Sequence, residues 1–217
     1  MAKEINRWGQ TEEWEEACVD TRRSLKARKR RLDIFKFKKS EKILDLGCGD
    51  GLNIKVLRQK GVKNIVGVDI APELLKLARK SNPKIKFVKA SAEKLPFKAK
   101  TLDVVLVDSV FHHFLTYEKA LKEIKRVLKP GGRLCFIEPH KSIFRSFYDY
   151  VSILEISKYI PWLKERRKSY LGEIKFMKNW LKTENEFYDL LDKLGFKEKL
   201  KRRDILSILG TYERPTK

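Results

Sequence analysis

Cysteine is scarce in this chain, and its scarcity excludes two classes of site. Only three cysteines occur among 217 residues, and they are far apart, at Cys18, Cys48 and Cys135. No pair has the CxxC spacing of a zinc or redox centre, and three distant thiols do not make a disulfide framework. We therefore expect no metal site and no disulfide, with the thiols free in a reducing compartment.

Long apolar runs are also missing. No stretch approaches the roughly 20 apolar residues that a membrane-spanning helix requires, and residues 1–10 lack the apolar centre of a signal peptide. Hydrophobic residues still make up 42% of the chain, which is too many for a disordered protein and enough for the core of one α/β domain. The composition predicts a soluble, cytoplasmic protein without a membrane span.

Acidic residues are few relative to basic ones. The chain has 50 lysines and arginines against 29 aspartates and glutamates, which gives a net charge of +21. Such a charge favours anionic partners: nucleic acid, acidic lipid headgroups, or phosphorylated and carboxylated small molecules. A surface rich in lysine and glutamate is also typical of proteins from heat-adapted organisms. Charge alone therefore leaves the partner open.

The hydrophobic pattern predicts a parallel sheet. Short apolar segments alternate with amphipathic ones, as in doubly wound α/β folds. Five strands are predicted at residues 42–46, 64–68, 85–89, 102–107 and 133–137, with helices between them at 52–59, 72–80 and 117–128. Two more strands are predicted at residues 196–201 and 205–212. We treat residues 1–217 as a single domain.

Three helical segments are predicted outside this alternation. Residues 11–36 form a basic helix within an N-terminal extension, residues 1–40. Residues 140–182 are rich in aromatic and basic side chains and form a helical insertion, or lid. Thr183 and Glu186 have the spacing of a capping box, which predicts that a last helix begins there and ends before Gly195.

A glycine-rich turn gives the strongest functional signal. The segment ILDLGCGDG, residues 43–51, leads from a predicted strand through three glycines into a helix. Glycine lets a backbone adopt positive φ angles and approach a ligand closely. Asp69 closes the next strand, at the spacing where an acid binds ribose hydroxyls in nucleotide sites. Leu52 stands where a dinucleotide site has its third glycine, which argues against NAD.

With these motifs the chain resembles the class I S-adenosylmethionine-dependent methyltransferases, close to the ubiquinone and menaquinone biosynthesis group. The further matching segments, in order, are VGVDIAPELLKLAR at 66–79, FVKASAEKLPF at 87–97, LDVVLVDSVFHHF at 102–114, LKEIKRVLKPGGRL at 121–134 and LKTENEFYDLLDKLGF at 181–196. The resemblance implies S-adenosylmethionine as cofactor. It also implies a Rossmann-like, seven-stranded sheet of order 3-2-1-4-5-7-6 whose last strand is antiparallel.

The resemblance also implies which residues surround the cofactor. The candidates are Asp45, Gly47, Cys48, Gly49, Asp69, Ile70, Ser91, Ala92, Glu93 and Asp108. The first four would surround the methionine half, Asp69 would hold the ribose hydroxyls, and Asp108 would lie near the ammonium group. Ile70 and residues 90–93 would face adenine. Ser91 departs from the family, which usually has aspartate there, and Glu93 is the residue that would compensate.

The acceptor is the part that the sequence leaves open. A general base is needed only where the acceptor loses a proton, and the candidates are His113, His140 and Glu138, after the fourth and fifth strands. A packing role for His113 is the alternative. The predicted acceptor is a small or lipid-like molecule, anionic or aromatic. An RNA substrate is the second hypothesis, and a cofactor-binding protein without catalysis is the third.

Overall fold

A seven-stranded sheet runs through the centre of the molecule in the order β3-β2-β1-β4-β5-β7-β6. The computed structural model describes residues 25–216. The strands are β1 Ile43–Leu46, β2 Ile65–Asp69, β3 Lys86–Lys89, β4 Leu102–Asp108, β5 Leu128–Pro139, β6 Lys197–Arg203 and β7 Ser207–Glu213. The first five are parallel, and β7 runs antiparallel between β5 and β6. The predicted fold class and strand order are confirmed.

Six helices connect or flank the strands. They are α1 Leu25–Asp33, α2 Leu52–Gln59, α3 Pro72–Ser81, α4 Glu118–Val127, α5 Ile143–Ile153 and α6 Pro161–Lys193, with short 3₁₀ turns at Phe111–His113 and Glu155–Lys158. Apart from β5, the strands and the helices between β1 and β5 begin and end within two residues of the sequence-based prediction. No helix among residues 25–216 is both long and apolar enough to cross a bilayer.

Both faces of the sheet are covered, which explains the apolar central strands. Val105 and Val107 of β4 belong to a core shared with α4 and α6, whereas Val104 and Leu106 belong to a core shared with α1, α2 and α3. All four side chains are fully buried. A strand buried on both faces must be apolar at successive positions rather than at alternate ones.

The N-terminal helix is shorter than predicted at its end. The structure describes this helix, α1, from Leu25, and the helix ends at Asp33. Lys36, three residues later, adopts a φ of 47°. A left-handed residue cannot continue a right-handed helix, which is why the helical spacing of the sequence does not extend to residue 36. Residues 11–24, including Cys18, lie outside the described residues.

The capping box predicted at Thr183 is wrong. Helix α6 runs from Pro161 to Lys193 without a break. Thr183 lies inside it, and its Oγ1 donates to the carbonyl of Asn179 one turn earlier, at 3.0 Å. A threonine hydroxyl satisfies a carbonyl within a helix as well as an amide at its start. The insertion therefore has no boundary at residue 182 and is continuous with the last helix.

Strand β5 is longer than predicted. It begins at Leu128 and so includes residues 129–132, which lie between the predicted helix and the predicted strand. A register irregularity between Leu102 and Val104 accommodates this early start. Leu102 pairs with Leu128 and Val104 with Arg133, so residues 129–132 have no register partner on β4, and Gly131 adopts a φ of 73°.

Candidate active site

The turn after β1 forms the centre of the site. Its glycines have φ angles of 70° at Gly47, 52° at Gly49 and 79° at Gly51, a conformation that favours glycine. A Cβ on Gly47 would lie 2.3 Å from Cγ2 of Val110, whereas a Cβ on Gly49 would meet no atom within 4 Å. The first glycine is therefore needed for packing, and the second faces open space.

Asp69 joins the end of β2 to this turn. Its Oδ2 accepts from the amide of Gly49 at 2.8 Å and its Oδ1 from the amide of Ala71 at 2.9 Å. Burial raises the pKa of the carboxyl, and the two backbone bonds oppose that rise. Each carboxylate oxygen has more than one acceptor site, so Asp69 can accept further hydrogen bonds from a ligand diol.

Asp45 is fully buried and only half satisfied. Its Oδ1 accepts from Nδ2 of Asn53 at 3.4 Å, while Oδ2 has no hydrogen-bond partner. Burial, reinforced by the neighbouring carboxylate of Asp108, raises the pKa of Asp45 to about 7. A buried carboxylate oxygen without a donor is costly. This atom therefore marks a place where a ligand donor fits.

Two arginines of α1 reach over the ends of β1 and β4. Nη1 of Arg28 donates to Oδ1 of Asn53 at 2.8 Å and to Oδ2 of Asp108 at 3.1 Å. Nη2 of Arg31 lies 3.6 Å from the same oxygen of Asp108. Nε of Arg28 and both terminal nitrogens of Arg31 are buried without a hydrogen-bond partner. Guanidinium groups with unused N–H donors attract carboxylates.

Sequence reasoning did not single out these two arginines or Asn53. It identified only a basic helix, in which Arg28 and Arg31 are two of several arginines. Their i, i+3 spacing places both on one helix face, but nothing in the sequence indicates that this face turns toward the glycine turn.

The residues predicted around adenine divide into two groups. Ala92 is buried in the core that α4 and α6 share, and Ile70 packs against that core while remaining partly exposed. Ser91 and Glu93 are also partly exposed, and Oγ of Ser91 accepts from the amide of Glu93 at 3.2 Å. Ala92 therefore lies within the core, and the other three have exposed surface.

Cys48 packs inward. It is buried in the core beneath α1, α2 and α3, and its Sγ lies 2.8 Å from the position that a Cβ on Gly67 would take. Burial raises the pKa of its thiol. The side chain thus fills the space that Gly67 leaves, and both Cys48 and Cys135 are free, buried thiols.

Glu138 holds the segment after β4. It is fully buried, and its Oε1 accepts from the amides of Val110 and Phe111, both at 2.7 Å. Its Oε2 lies 2.7 Å from Nδ1 of His112. The carboxylate therefore fixes the 3₁₀ turn that carries His113. This use of both oxygens does not suit a proton acceptor for a substrate.

The other two base candidates differ in their surroundings. The ring centroid of His113 lies 4.0 Å from that of His112, with the rings tilted by 42°, and 6.2 Å from that of Phe176 on α6, edge to face. The ring nitrogens of His140 lie 2.9 Å from the carbonyl oxygen of Lys141 and 2.6 Å from that of Asp204. A base needs a ring nitrogen with an available lone pair, and His140 directs both nitrogens at carbonyl oxygens.

A second cleft, of about 440 Å³, lies at the opposite end of the strands. Its charged walls are already paired: Lys129 is 2.6 Å from Asp103, and Arg133 is 3.0 Å from Glu41. Ligands of open α/β sheets bind at the carboxyl ends of the strands, where the glycine turn and Asp69 are. This second cleft is therefore a poor candidate for the active site.

A model of the methyltransferase domain family matches residues 44–136. This part of the chain is therefore similar to methyltransferase domains. The matched segment begins in β1 and ends within β5, so it contains the glycine turn, Asp69 and Asp108.

The chain is similar to curated methyltransferases. It is 37% identical over 132 residues to the demethylmenaquinone methyltransferase of Thermus thermophilus, which covers 57% of this chain and 60% of that protein. It is 33% identical over 107 residues to the ubiquinone/menaquinone biosynthesis C-methyltransferase of Campylobacter jejuni, covering 46% of each. The chain thus matches about half the length of these relatives.

Solved structures share the fold of this chain. A methyltransferase from Aquifex aeolicus superposes with a TM-score of 0.65 at 18% identity, over 92% of this chain and 96% of that one. A methyltransferase from Methanococcus maripaludis gives a TM-score of 0.65 at 18% identity, over 94% and 93%. At these identities the likeness establishes the Rossmann-like fold.

Proposed function

We propose that this chain transfers the methyl group of S-adenosylmethionine to a small, quinone-like acceptor. One observation carries the proposal: a buried carboxylate oxygen of Asp45 and buried guanidinium nitrogens of Arg28 and Arg31 have no hydrogen-bond partner beside the same glycine turn. A zwitterionic amino acid joined to a nucleoside has the groups that such atoms need.

The amino-acid half of the cofactor fits these charges. We propose that Oδ2 of Asp45 accepts from its ammonium group and that Arg28 and Arg31 donate to its carboxylate. Asp108, paired with Arg28 at 3.1 Å, then orients the arginines rather than binding the ammonium group. Gly47 shapes the turn, and Cys48 packs behind it.

The nucleoside half fits the other side of the turn. We propose that Asp69 accepts hydrogen bonds from the ribose hydroxyls while it remains bonded to the amide of Gly49. The open space at Gly49 is the room that this half requires. Ile70, Ser91 and Glu93 are the proposed contacts to adenine, and Ala92 supports them from the core.

The remaining work of catalysis is positioning. When bound, S-adenosylmethionine supplies a methyl group on a positively charged sulfur, which needs no further activation. The chain must align the acceptor with that methyl group and exclude water. We propose that α1, α5 and α6 enclose the acceptor, and that His113 accepts the proton that the acceptor loses. Glu138 is a positioning residue that holds the turn of His113, and His140 joins the insertion to the β6–β7 loop.

A quinone-like acceptor is favoured by the names of the curated relatives and by the aromatic insertion. An RNA acceptor is the second candidate, since a net charge of +21 favours polyanions. An RNA enzyme would bind RNA with an affinity that falls steeply as salt rises. Absence of RNA binding at low salt would remove that candidate. The proposed compartment is the cytoplasm, which agrees with the free thiols of Cys48 and Cys135.

Isothermal titration calorimetry tests the proposal first. Wild-type protein should bind S-adenosylmethionine and S-adenosylhomocysteine, and Asp69→Ala should weaken both by at least about tenfold because it removes two charge-assisted hydrogen bonds. Glu73→Ala, at an exposed glutamate of α3, is the matched control. Absence of heat from either compound with the wild-type protein would overturn the proposal.

Methyl transfer is then assayed on demethylated quinols and on RNA, with mass spectrometry of the products. A mass gain of one methyl group on a quinol supports the acceptor class. Tight cofactor binding without turnover on either class would favour the third hypothesis, a cofactor-binding protein without catalysis.

A further inference from the structure

The first helix of the insertion presents an apolar face that no described residue covers. Its exposed members, with the exposed fraction of each residue, are Ile143 at 88%, Phe144 at 66%, Phe147 at 67% and Tyr150 at 59%, followed by Ile156 at 59% and Tyr159 at 83%. Single exposed apolar residues are ordinary, but a contiguous group of large ones marks an interaction surface. We call these six residues the α5 face.

The orientation of α5 is fixed by polar contacts on its inner side. Nε of Arg145 donates to Oδ2 of Asp149 at 2.8 Å, and both side chains are more than nine-tenths buried. Nη2 of Arg145 also lies 3.2 Å from Sδ of Met177 on α6. A surface helix ordinarily turns its apolar side inward and its polar side to water. Helix α5 does the opposite, so rotating it to bury the α5 face would expose a buried ion pair.

Basic side chains flank the α5 face in the sequence. Lys141 precedes α5 and Lys164 follows the 3₁₀ turn, and both are exposed. The one exposed acid among residues 141–160 is Glu155, which is paired with Lys158 and, at 3.2 Å, with Arg167. The other acid of that range, Asp149, is buried against Arg145. The surroundings of the α5 face therefore carry a net positive charge.

We propose that the α5 face docks on the surface of an anionic lipid bilayer. Aromatic and aliphatic side chains enter the boundary between headgroups and acyl chains, while lysines around them meet the acidic headgroups. Charge complementarity favours this occupant over a second copy of the chain, because two copies would each bring a net charge of +21 to the contact.

Docking of this kind would bring the acceptor side of the site to the membrane. Helix α6, which packs beside α5 through Met177, also contacts His113 through Phe176. A lipid-like acceptor could then enter from the bilayer rather than from water. This consequence rests on the proposed function, whereas vesicle binding requires neither cofactor nor acceptor and is measured separately.

The test is co-sedimentation of the full chain with vesicles of phosphatidylcholine alone or mixed with phosphatidylglycerol. Wild-type protein should bind the mixed vesicles more tightly. The triple variant Ile143→Ser, Phe144→Ser, Phe147→Ser should bind them at least about tenfold more weakly, because it removes most of the apolar contact. Leu77→Ser, at an exposed leucine of α3, is the control and should bind like wild type.

A charge variant tests the basic surroundings. Lys141→Glu with Lys164→Glu should weaken binding to mixed vesicles by about tenfold or more, since each lysine near an anionic surface contributes about fivefold. Lys84→Glu with Lys86→Glu makes the same change in net charge beside and within β3, at the opposite edge of the sheet. Its binding should fall less than that of the first pair.

Three results would overturn the proposal. The first is failure of wild-type protein to bind mixed vesicles at low salt. The second is an equal loss from both charge pairs, which would mean that net charge alone acts. The third is a dimer in sedimentation equilibrium that the triple variant converts to monomer while vesicle binding is unchanged, which would make the α5 face an interface between copies. Circular dichroism of each variant checks that it is folded.

Discussion

Glu138 and His112 form a buried pair in which Oε2 of the carboxylate lies 2.7 Å from Nδ1 of the imidazole. The two side chains are 0% and 4% exposed. The other oxygen of Glu138 accepts from two consecutive backbone amides after β4. One carboxylate on β5 thus sets the path of the chain where β4 ends, and with it the position of His113.

Replacing Glu138 by alanine should therefore destabilise the fold. The variant removes the acceptor of one buried and one partly buried amide and breaks the contact with His112, and we expect the free energy of unfolding to fall by about 3 kcal/mol. Urea denaturation followed by circular dichroism measures the loss. Glu73→Ala, on the surface of α3, should change it by less than about 0.5 kcal/mol. Equal effects of the two substitutions would mean that the Glu138 contacts contribute little.

Gly47→Ala and Gly49→Ala should separate packing from ligand binding. Both glycines have positive φ angles, but only at Gly47 would a Cβ collide with Val110. We expect Gly47→Ala to lower the free energy of unfolding by about 2–4 kcal/mol. Gly49→Ala should cost about 1–2 kcal/mol and should weaken cofactor binding about tenfold, because its methyl group enters the open space. Thermal melts and calorimetry on both variants measure this. A lower melting temperature for Gly49→Ala than for Gly47→Ala would contradict this assignment.

The sheet and the glycine turn could be predicted because their signals are local. Residues 43–59 contain the whole signal: an apolar strand, a turn that requires positive φ angles and a following helix. The carboxyl ends of parallel strands meet at one edge, so Asp45, Asp69 and Asp108 could be assigned to one region before the structure. The sequence could not predict that these carboxylates are buried, or that Oδ2 of Asp45 has no hydrogen-bond partner.

The contacts that complete the site join distant parts of the chain. Arg28 meets Asp108 eighty positions later, and Glu138 meets the amide of Val110 twenty-eight positions earlier. The hydrophobic periodicity of a sequence does not indicate which distant residues form such pairs. The same limit explains the error at Thr183. The local pattern fits a helix start, but its hydroxyl forms a hydrogen bond with the hydroxyl of the distant Tyr117, at 2.6 Å, from within a continuous helix.

The stability of the protein should depend on pH through Asp45. Its folded pKa is raised to about 7 from an ordinary value of 3.8, so its contribution to stability is present below about pH 4 and is lost as pH rises through 7. Asp45→Asn has no carboxyl group to ionise at this position, so the variant should not lose this stability as pH rises. Relative to wild type, the variant should gain up to about 3 kcal/mol between pH 4 and pH 8. Urea denaturation across this range measures the difference, and a difference that does not change with pH would contradict it.

Cofactor affinity should show the opposite trend with pH. An ionised Asp45 attracts an ammonium group, so the affinity of wild-type protein for S-adenosylhomocysteine should rise between pH 6 and 8, by at most about tenfold per unit. Asp108 and Arg28 are the other charged groups that act on Asp45 most strongly, and they act in opposite directions. Asp45→Asn should bind more weakly and lose the pH dependence. The same slope in both proteins would assign the titration to another group.

The arginines of α1 should recognise the amino-acid half of the cofactor and not the nucleoside. Arg28→Ala with Arg31→Ala should weaken S-adenosylmethionine binding by at least about tenfold, since it removes charge-assisted donors to a carboxylate. Binding of 5′-methylthioadenosine, which lacks the amino-acid group, should stay within about twofold of wild type by the same reasoning.

Lys29→Ala with Arg30→Ala is the matched control for that pair. These neighbours remove the same charge from α1, but both are exposed. They should leave the affinity for both ligands nearly unchanged, because solvent screens exposed charges. If Arg28→Ala with Arg31→Ala weakened both ligands equally, the arginines would be acting through the shape of the glycine turn. The unpaired nitrogens would then have a structural origin rather than a role in binding the cofactor's carboxylate.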